Sequence, residues 1–350
     1  MPRAGASGAG AQRRSGRGEG ADMSSNHIIR IDDHGITFAE RTIPWPRSIS
    51  AAARAGLKAS AQRRSPPFPA PGDLEGWREL IAMMDAGMAA IYAPVLAQVP
   101  VTTETLAGVT VHRARPEGLG AEDRRLYFDI HGGGLVFGGG EFCRGMAAAS
   151  VQLHGVECLS VDYRMPPDHP HPAGLDDCLA VYAAEVARRG AHNIVVGGAS
   201  AGAYFSAALM LRAREEGLPM PAGLVLNPPM LDMTGSGDSF EAVGGVDAGL
   251  QRRLPEGIAL YAGDADPADP VLSPLFADVS GFPPTLLQSG TRDLFLSNAV
   301  RMHRKLRQAG IAAELHVFEA MPHGGFFGGP EDADKDAEIA RFVAARWPAA

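Results

Sequence analysis

The sequence lacks the features of a membrane-embedded, disulfide-bonded or nucleic-acid-binding protein. No stretch of 18 consecutive apolar residues occurs, so we expect no membrane span. The 350 residues include three cysteines and no CxxC pair, which predicts neither a disulfide framework nor a zinc knuckle. Acidic residues (40) outnumber basic ones (32), and a net charge of −8 gives nucleic-acid binding little electrostatic support. We therefore expect a cytoplasmic protein without a nucleic-acid or membrane partner.

From residue 100 onward, short apolar or β-branched runs alternate with longer amphipathic patterns. The predicted strands are 108–114, 125–130, 157–162, 193–196, 223–226, 285–288 and 314–318, and the predicted helices are 141–154, 173–189, 201–216, 295–309 and 332–346. Strands that alternate with helices indicate βαβ units and a mostly parallel sheet. Upstream, apolar residues spaced by three and four predict a helix over 74–97, with Asp73 at its N-cap.

A Gly-x-Ser-x-Gly sequence occupies residues 198–202, between a predicted strand and a predicted helix. A tight strand-to-helix turn needs small residues two positions before and after the serine, because strand and helix pass close together there. Such a turn lifts the Ser200 hydroxyl out of the sheet and points the helix N-terminus at it. The alternative interpretation is an ordinary turn with an inert serine.

Three consecutive glycines follow His131 directly after the predicted strand 125–130. Because glycine has no Cβ, the N–H groups of this loop can turn toward a ligand. Donors of this kind stabilise the oxyanion of a tetrahedral intermediate. A phosphate-binding loop is the competing interpretation, but the sequence contains neither GxGxxG nor GxxxxGK(S/T).

The two motifs in this order resemble the α/β-hydrolase fold and, within it, the hormone-sensitive-lipase-like bacterial carboxylesterases. The run 161–170 is similar to the family's Asp-Tyr-Arg-Leu-Ala-Pro-Glu segment, and 290–293 also fits, whereas Ala199 and Ala203 depart from the usual pattern. The resemblance implies an α/β protein whose mostly parallel twisted sheet is flanked by helices, with a helical N-terminal cap. It also implies a serine esterase that needs no cofactor.

The domain organisation follows from this resemblance and from composition. We expect an N-terminal cap region at 23–98, a catalytic domain at 99–350 and a contribution to the cap from 232–257. Residues 1–22 are rich in glycine, alanine and arginine and have no apolar segment of a secretion signal. We expect them to be a disordered tail or the result of a misassigned start, with Met23 as the true start.

The base and the acid that a catalytic serine requires are expected after the last two strands. The chain order Ser200, Asp293, His323 is the α/β-hydrolase order, since Asp293 follows strand 285–288 and His323 follows strand 314–318. His303 and His316 fall inside a helix and a strand and are weaker candidates for the base. The aspartates at 264, 266 and 269 precede the wrong strand.

The resemblance also implies an oxyanion hole made by the N–H groups of Gly133, Gly134 and Ala201. We expect Met84, Met88 and Tyr204 to contact the substrate, and we expect no metal or other cofactor. The expected substrate is a small-molecule carboxylic ester with a short to medium acyl chain. A lactone hydrolysed by the same three residues is the alternative, a non-catalytic small-molecule receptor of this fold is a further one, and a homodimer is left open.

Overall fold

The structure is a computed structural model, and it describes residues 29–33, 35–38, 42–63 and 66–347. The chain forms two compact units, Met1–Trp45 and Pro46–Ala350. In the first unit, strands β1 (Ile29–Asp32) and β2 (Gly35–Phe38) pair as an antiparallel hairpin. The expected N-terminal tail, residues 1–22, lies outside the described residues.

An eight-stranded sheet organises the second unit. Its strands are β3 (Val101–Leu106), β4 (Val109–Ala114), β5 (Leu126–Ile130), β6 (Glu157–Asp162), β7 (Ile194–Ser200), β8 (Gly223–Pro229), β9 (Thr285–Gly290) and β10 (Ala313–Phe318). The spatial order is β10-β9-β8-β7-β5-β6-β4-β3. Neighbours from β10 to β6 run parallel, and β4 and β3 join antiparallel at one edge. The predicted mostly parallel sheet is confirmed.

Helices cover both faces of this sheet. The longer ones are α1 (Ala51–Gln62), α2 (Leu74–Leu96), α3 (Glu141–His154), α4 (Ala173–Arg189), α5 (Ala201–Glu215), α8 (Leu296–Gln308) and α9 (Pro330–Ala344), and the shorter ones are α6 (Ser239–Ala242), α7 (Pro255–Ala262) and the 3-10 turns Ala191–Asn193 and Pro274–Phe276. Successive strand residues point to opposite faces. Val195 accordingly packs with the core on the side of α3 and α9, whereas Val196 packs with the core that includes α4, α5 and α8.

The topology gathers four chain segments at one edge of the sheet. His131 follows β5, Ser200 ends β7, Asp293 follows β9 and His323 follows β10. These strands are parallel, so their carboxyl ends lie on the same side, which is where α/β sheets bind their ligands. The sheet therefore places the residues singled out by the sequence within reach of one another.

Helix α2 is apolar and yet mostly exposed. By length and composition it is long and apolar enough to cross a membrane. Charged residues such as Asp85 interrupt its sequence, so it contains no run of 18 consecutive apolar residues. Trp77 and Leu80 are buried, whereas Met83 is 54% and Ile91 66% exposed. One such helix is weak evidence for a membrane span.

Candidate active site

Ser200 sits at a sharp turn between β7 and α5. Its φ of 58° lies in the left-handed region that residues other than glycine rarely adopt. Two residues on, a Cβ on Gly202 would lie 1.9 Å from the carbonyl oxygen of Ile130, so only glycine fits where α5 passes the end of β5. The strained strand-to-helix turn expected from the motif is present.

The three side chains expected to act together lie in one line of contacts. Ser200 Oγ is 2.9 Å from His323 Nε2. On the other side of the ring, His323 Nδ1 is 3.1 Å from Asp293 Oδ1. The competing histidines lie elsewhere: His303 contacts the carbonyl oxygen of Ala313, and His316 lies beside Glu314.

Asp293 is fixed by its own loop as well as by the imidazole. It is fully buried. Its Oδ2 accepts a hydrogen bond from Ser289 Oγ at 2.8 Å, and its Oδ1 accepts one from the Phe295 N–H at 2.9 Å. The carboxylate therefore has little freedom to rotate away from His323.

The surroundings of His323 favour its protonated form. Burial acts to lower the pKa of the imidazole, but the charge and hydrogen bond of Asp293 and the charge of Asp247 outweigh it. The positive charge of Lys335 works in the same direction as burial. The pKa of His323 is raised above its ordinary value of 6.5.

The glycine-rich loop after β5 approaches Ser200 closely. A Cβ on Gly132 would lie 3.4 Å from the Ser200 Cβ. Gly133 and Gly134 follow with φ values of 123° and 59°, a backbone path that suits glycine. Ala201 is the first residue of α5, where backbone N–H groups lack a partner within the helix. The glycine-rich loop and the first residue of α5 are thus both adjacent to Ser200.

Two aspartates and a tyrosine form hydrogen bonds with the backbone of the same loop. Asp85 of α2 accepts a hydrogen bond from the Gly138 N–H at 2.7 Å. Asp162 accepts one from the Gly140 N–H at 3.1 Å, and Tyr163 donates its hydroxyl to the carbonyl oxygen of His131 at 3.0 Å. These contacts fix the loop relative to Ser200.

An apolar cavity of about 250 Å³ is lined by residues that contact Ser200 and His323, although neither of these two residues lines it. Its lining residues come mainly from the stretch after β8 and from α7: Met230, Asp232, Met233, Thr234, Gly235, Phe240, Leu250, Arg253, Leu254, Pro255, Ile258, Ala259, Pro267 and Phe295. The Met230 N–H donates to the Ser200 carbonyl oxygen at 3.3 Å. The ring of Phe295 stands edge-on to that of His323, 4.9 Å between centroids. Two lining residues, Met230 and Phe295, thus connect the wall of the cavity to Ser200 and His323.

The residues expected to contact the substrate lie outside the lining of this cavity. Tyr204 is fully buried, with its hydroxyl 3.1 Å from that of Tyr261. Met84 and Met88, on α2, are half-buried against the main core. Most lining residues of the cavity belong to the segment 232–257, for which we expected a contribution to the cap. Others, such as Phe295, lie in no sequence motif.

Three potential metal ligands lie together behind the glycine-rich loop. The ligand atoms of His112, Cys143 and Asp162 are all within 4.8 Å of one another. Hydrogen bonds already engage both imidazole nitrogens, since His112 Nδ1 is 2.9 Å from Thr103 Oγ1 and its Nε2 is 3.3 Å from Asp162 Oδ2. These contacts explain the cluster as part of the support of the loop.

The proteins similar to this chain in sequence and in structure include several ester hydrolases. The sequence model of the alpha/beta hydrolase fold matches residues 127–327. An esterase of Acinetobacter venetianus is 33% identical over 219 residues, which are 62% of this chain and 71% of that protein. The crystal structure of an esterase superposes with a TM-score of 0.82 at 34% identity, covering 89% of this chain and 99% of the other. A hormone-sensitive lipase from a metagenome library gives 0.74 at 31% identity, covering 85% and 99%.

Proposed function

The chain belongs to the α/β-hydrolase fold family, among the hormone-sensitive-lipase-like esterases, and is a carboxylic-ester hydrolase. From this premise we propose that it is a serine esterase whose nucleophile, base and acid are Ser200, His323 and Asp293. The observation that carries the proposal is the contact of Ser200 Oγ with His323 Nε2 at 2.9 Å. A serine hydroxyl is a weak nucleophile unless an adjacent base takes its proton.

In the acylation half of the proposed reaction, Ser200 Oγ attacks the carbonyl carbon of the ester while His323 Nε2 takes the hydroxyl proton. Asp293 holds the Nδ1–H tautomer and stabilises the imidazolium that forms. The N–H groups of Gly133, Gly134 and Ala201 hold the oxyanion of the tetrahedral intermediate. The C–O bond to the alcohol then breaks, and the alcohol leaves with the proton from His323.

In the second half, water takes the place of the alcohol. His323, now neutral, accepts a proton from the water as its oxygen attacks the acyl carbon bound to Ser200. The second tetrahedral intermediate collapses to the free acid and returns the proton to Ser200 Oγ. No step of this scheme requires a cofactor.

We further propose esters with acyl chains of about 2–8 carbons as substrates, because a cavity of limited size sets the length. The cavity of about 250 Å³ supports this proposal. It is smaller than the roughly 300–1,000 Å³ of typical ligand pockets. Each buried CH₂ adds at most ~0.8 kcal/mol of binding until the pocket ends.

The proposed triad of Ser200, His323 and Asp293 is tested by measuring the turnover of nitrophenyl butyrate and of a simple lactone by the wild-type enzyme and three variants. Ser200→Ala and His323→Ala should abolish measurable turnover of both substrates. Asp293→Asn should keep the fold but lower kcat by a factor on the order of 10⁴, as in a serine-protease triad. Near-normal turnover by Ser200→Ala would exclude the serine mechanism, and near-normal turnover by Asp293→Asn would assign the acid to another aspartate.

Chain length is tested by kcat/KM across nitrophenyl esters from acetyl to palmitoyl. We expect an optimum within the short to medium range and a fall beyond it. Ile258→Ala enlarges the cavity from α7 and should move the optimum to longer chains. Ile81→Ala makes the same change on α2 outside the cavity lining and should leave the optimum in place. A steady rise to palmitate with activation at an oil–water interface would favour a true lipase instead.

A further inference from the structure

A second buried carboxylate, Asp247, lies between the two loops that carry His323 and Asp293. It is only 1% exposed and belongs to the segment between α6 and α7, close to the cavity. No motif in the sequence marks it. We infer that Asp247 is a positioning residue for the esterase reaction, which fixes the backbone of both loops and keeps a negative charge near the imidazole. This inference rests on the proposed roles of Ser200, His323 and Asp293.

The hydrogen bonds of Asp247 join three parts of the site. Its Oδ1 accepts from the His323 N–H at 3.1 Å, and its Oδ2 accepts from the Leu294 N–H, next to Asp293, at 2.9 Å. The same Oδ1 accepts from the N–H groups of Gly249 and Leu250, both at 2.9 Å. Leu250 lines the cavity. One side chain thus connects the base, the acid and the wall of the cavity.

Four backbone donors suit a carboxylate and no other side chain of this size. A carboxylate accepts only, with about four lone-pair positions on its two oxygens. An amide in its place would turn its NH₂ group toward at least one of these backbone N–H groups, which cannot accept a hydrogen bond. Burial and the charge of Asp293 raise the pKa of Asp247 above its ordinary value, although the charge of His323 and the backbone donors act in the opposite direction.

The charge of Asp247 acts on the imidazole together with the other ionisable groups that face it. Asp293 and Asp247 favour the protonated ring, and Lys335 of α9 disfavours it. Without the charge of Asp247, protonated His323 loses part of its stabilisation, and its pKa falls. Because the neutral imidazole is the active base, the loss of activity at low pH should then begin at a lower pH.

The test compares the pH dependence of kcat/KM for Asp247→Asn, Asp247→Glu and the wild-type enzyme on nitrophenyl butyrate. In Asp247→Asn, we expect the acid limb of the profile, where activity falls as the pH is lowered, to move down by on the order of one pH unit. The misplaced imidazole should also reduce kcat roughly 10- to 100-fold. Asp247→Glu keeps the charge and should leave the acid limb at the wild-type position. If Asp247→Asn does not fold, Asp247→Ser replaces it, because a water can occupy the space at the four N–H groups.

Asp177→Asn is the matched control, since Asp177 is also buried and accepts a backbone hydrogen bond, from Arg164, outside the triad. It should lower stability but leave the acid limb unchanged. A lower kcat in Asp247→Asn with an unmoved acid limb would show a purely structural role and overturn the inference. Turnover by Ser200→Ala, measured in parallel, would instead overturn the proposed function on which the inference rests.

Discussion

At the scale of single residues, the candidate site depends on a backbone conformation that a serine disfavours. Ser200 holds a φ of 58°, which costs on the order of 1–3 kcal/mol for a residue with a Cβ. The cost is offset because β7 and α5 are buried on both sides of the turn. This conformation directs the Ser200 hydroxyl away from the sheet, where its Oγ lies 2.9 Å from His323 Nε2.

The raised pKa of His323 predicts where activity is lost in acid. The ring must be neutral to take the proton of Ser200, so kcat/KM should rise with pH through the pKa of the free enzyme. Because the neighbouring carboxylates raise that pKa above 6.5, the midpoint should lie above 6.5. A pH profile of kcat/KM on nitrophenyl acetate measures it. A midpoint below 6.5 would mean that burial outweighs Asp293 and Asp247.

Sequence alone could predict the residues that local chemistry marks. Ser200 and Gly132 lie in short motifs whose glycines are required by close backbone approach, and the chain order of the fold selects Asp293 and His323. Asp247 and Phe295 carry no such mark, because their roles come from contacts with residues distant in sequence. Tyr204 is fully buried and does not line the cavity, and its expected contact with the substrate stays a prediction.

At the scale of elements, α2 has two functions that its sequence pattern does not separate. Its apolar stripe buries Trp77 and Leu80, while its single interior aspartate, Asp85, holds the glycine-rich loop through Gly138. Asp85 is partly buried where it binds the loop, and this burial raises the pKa of its carboxyl group. The helix therefore supports the glycine-rich loop, and none of its residues lines the cavity.

Loss of the Asp85 contact should lower kcat more than it changes KM. Asp85→Ala leaves the Gly138 N–H without its acceptor, and we expect about a tenfold lower kcat, equivalent to ~1.4 kcal/mol of transition-state stabilisation. Asp85→Asn retains an acceptor oxygen and should recover most of the activity. Glu79→Ala, on an exposed position of the same helix, is the control. Equal kcat values for Asp85→Ala and Glu79→Ala would exclude this role of α2.

A buried ion-pair network ties α4 to the antiparallel edge of the sheet. Glu185 is fully buried between Arg113 at 2.7 Å and Arg189 at 2.6 Å, and Glu157 pairs with the same two arginines. Without Glu185, the buried Arg189 keeps only Glu157, which it shares with Arg113, so the cost should lie near the lower end of the about 3–5 kcal/mol that breaking a buried pair costs. Chemical denaturation of Glu185→Ala should show a loss of this order. Glu141→Ala, which removes an exposed pair with Arg144, should change the free energy of unfolding by less than ~1 kcal/mol. Similar losses of stability in both variants would contradict the prediction.

Element positions were predictable where hydrophobic periodicity is strong. The helix predicted at 74–97 is α2 (Leu74–Leu96), and the strand predicted at 157–162 is β6. Strand β3 was missed because it is an edge strand with threonine at its exposed positions and a glutamate between them, so no apolar run marks it. Helix α1 was missed because its buried residues are mainly small, with Leu57 as the largest.

At the scale of the whole molecule, the sheet order makes one site from segments far apart in the chain. The glycine-rich loop follows β5, Ser200 ends β7, and Asp293 and His323 follow β9 and β10, strands that lie between residues 126 and 318. The parallel arrangement brings their carboxyl ends to one edge. The segment after β8 then closes the cavity and, through Asp247, contacts the base and the acid loops.

The central claim, that Ser200 is the group that is covalently acylated, is tested most directly by mapping the site of a stable adduct. The wild-type enzyme is incubated with diethyl p-nitrophenyl phosphate, which phosphorylates activated serines, and the modified peptide is identified by mass spectrometry. We expect one diethylphosphoryl group per chain, on Ser200, with loss of esterase activity in proportion to labelling, and no label on Ser200→Ala. Loss of activity with Ser200 unmodified, or equal labelling of Ser200→Ala, would contradict the account.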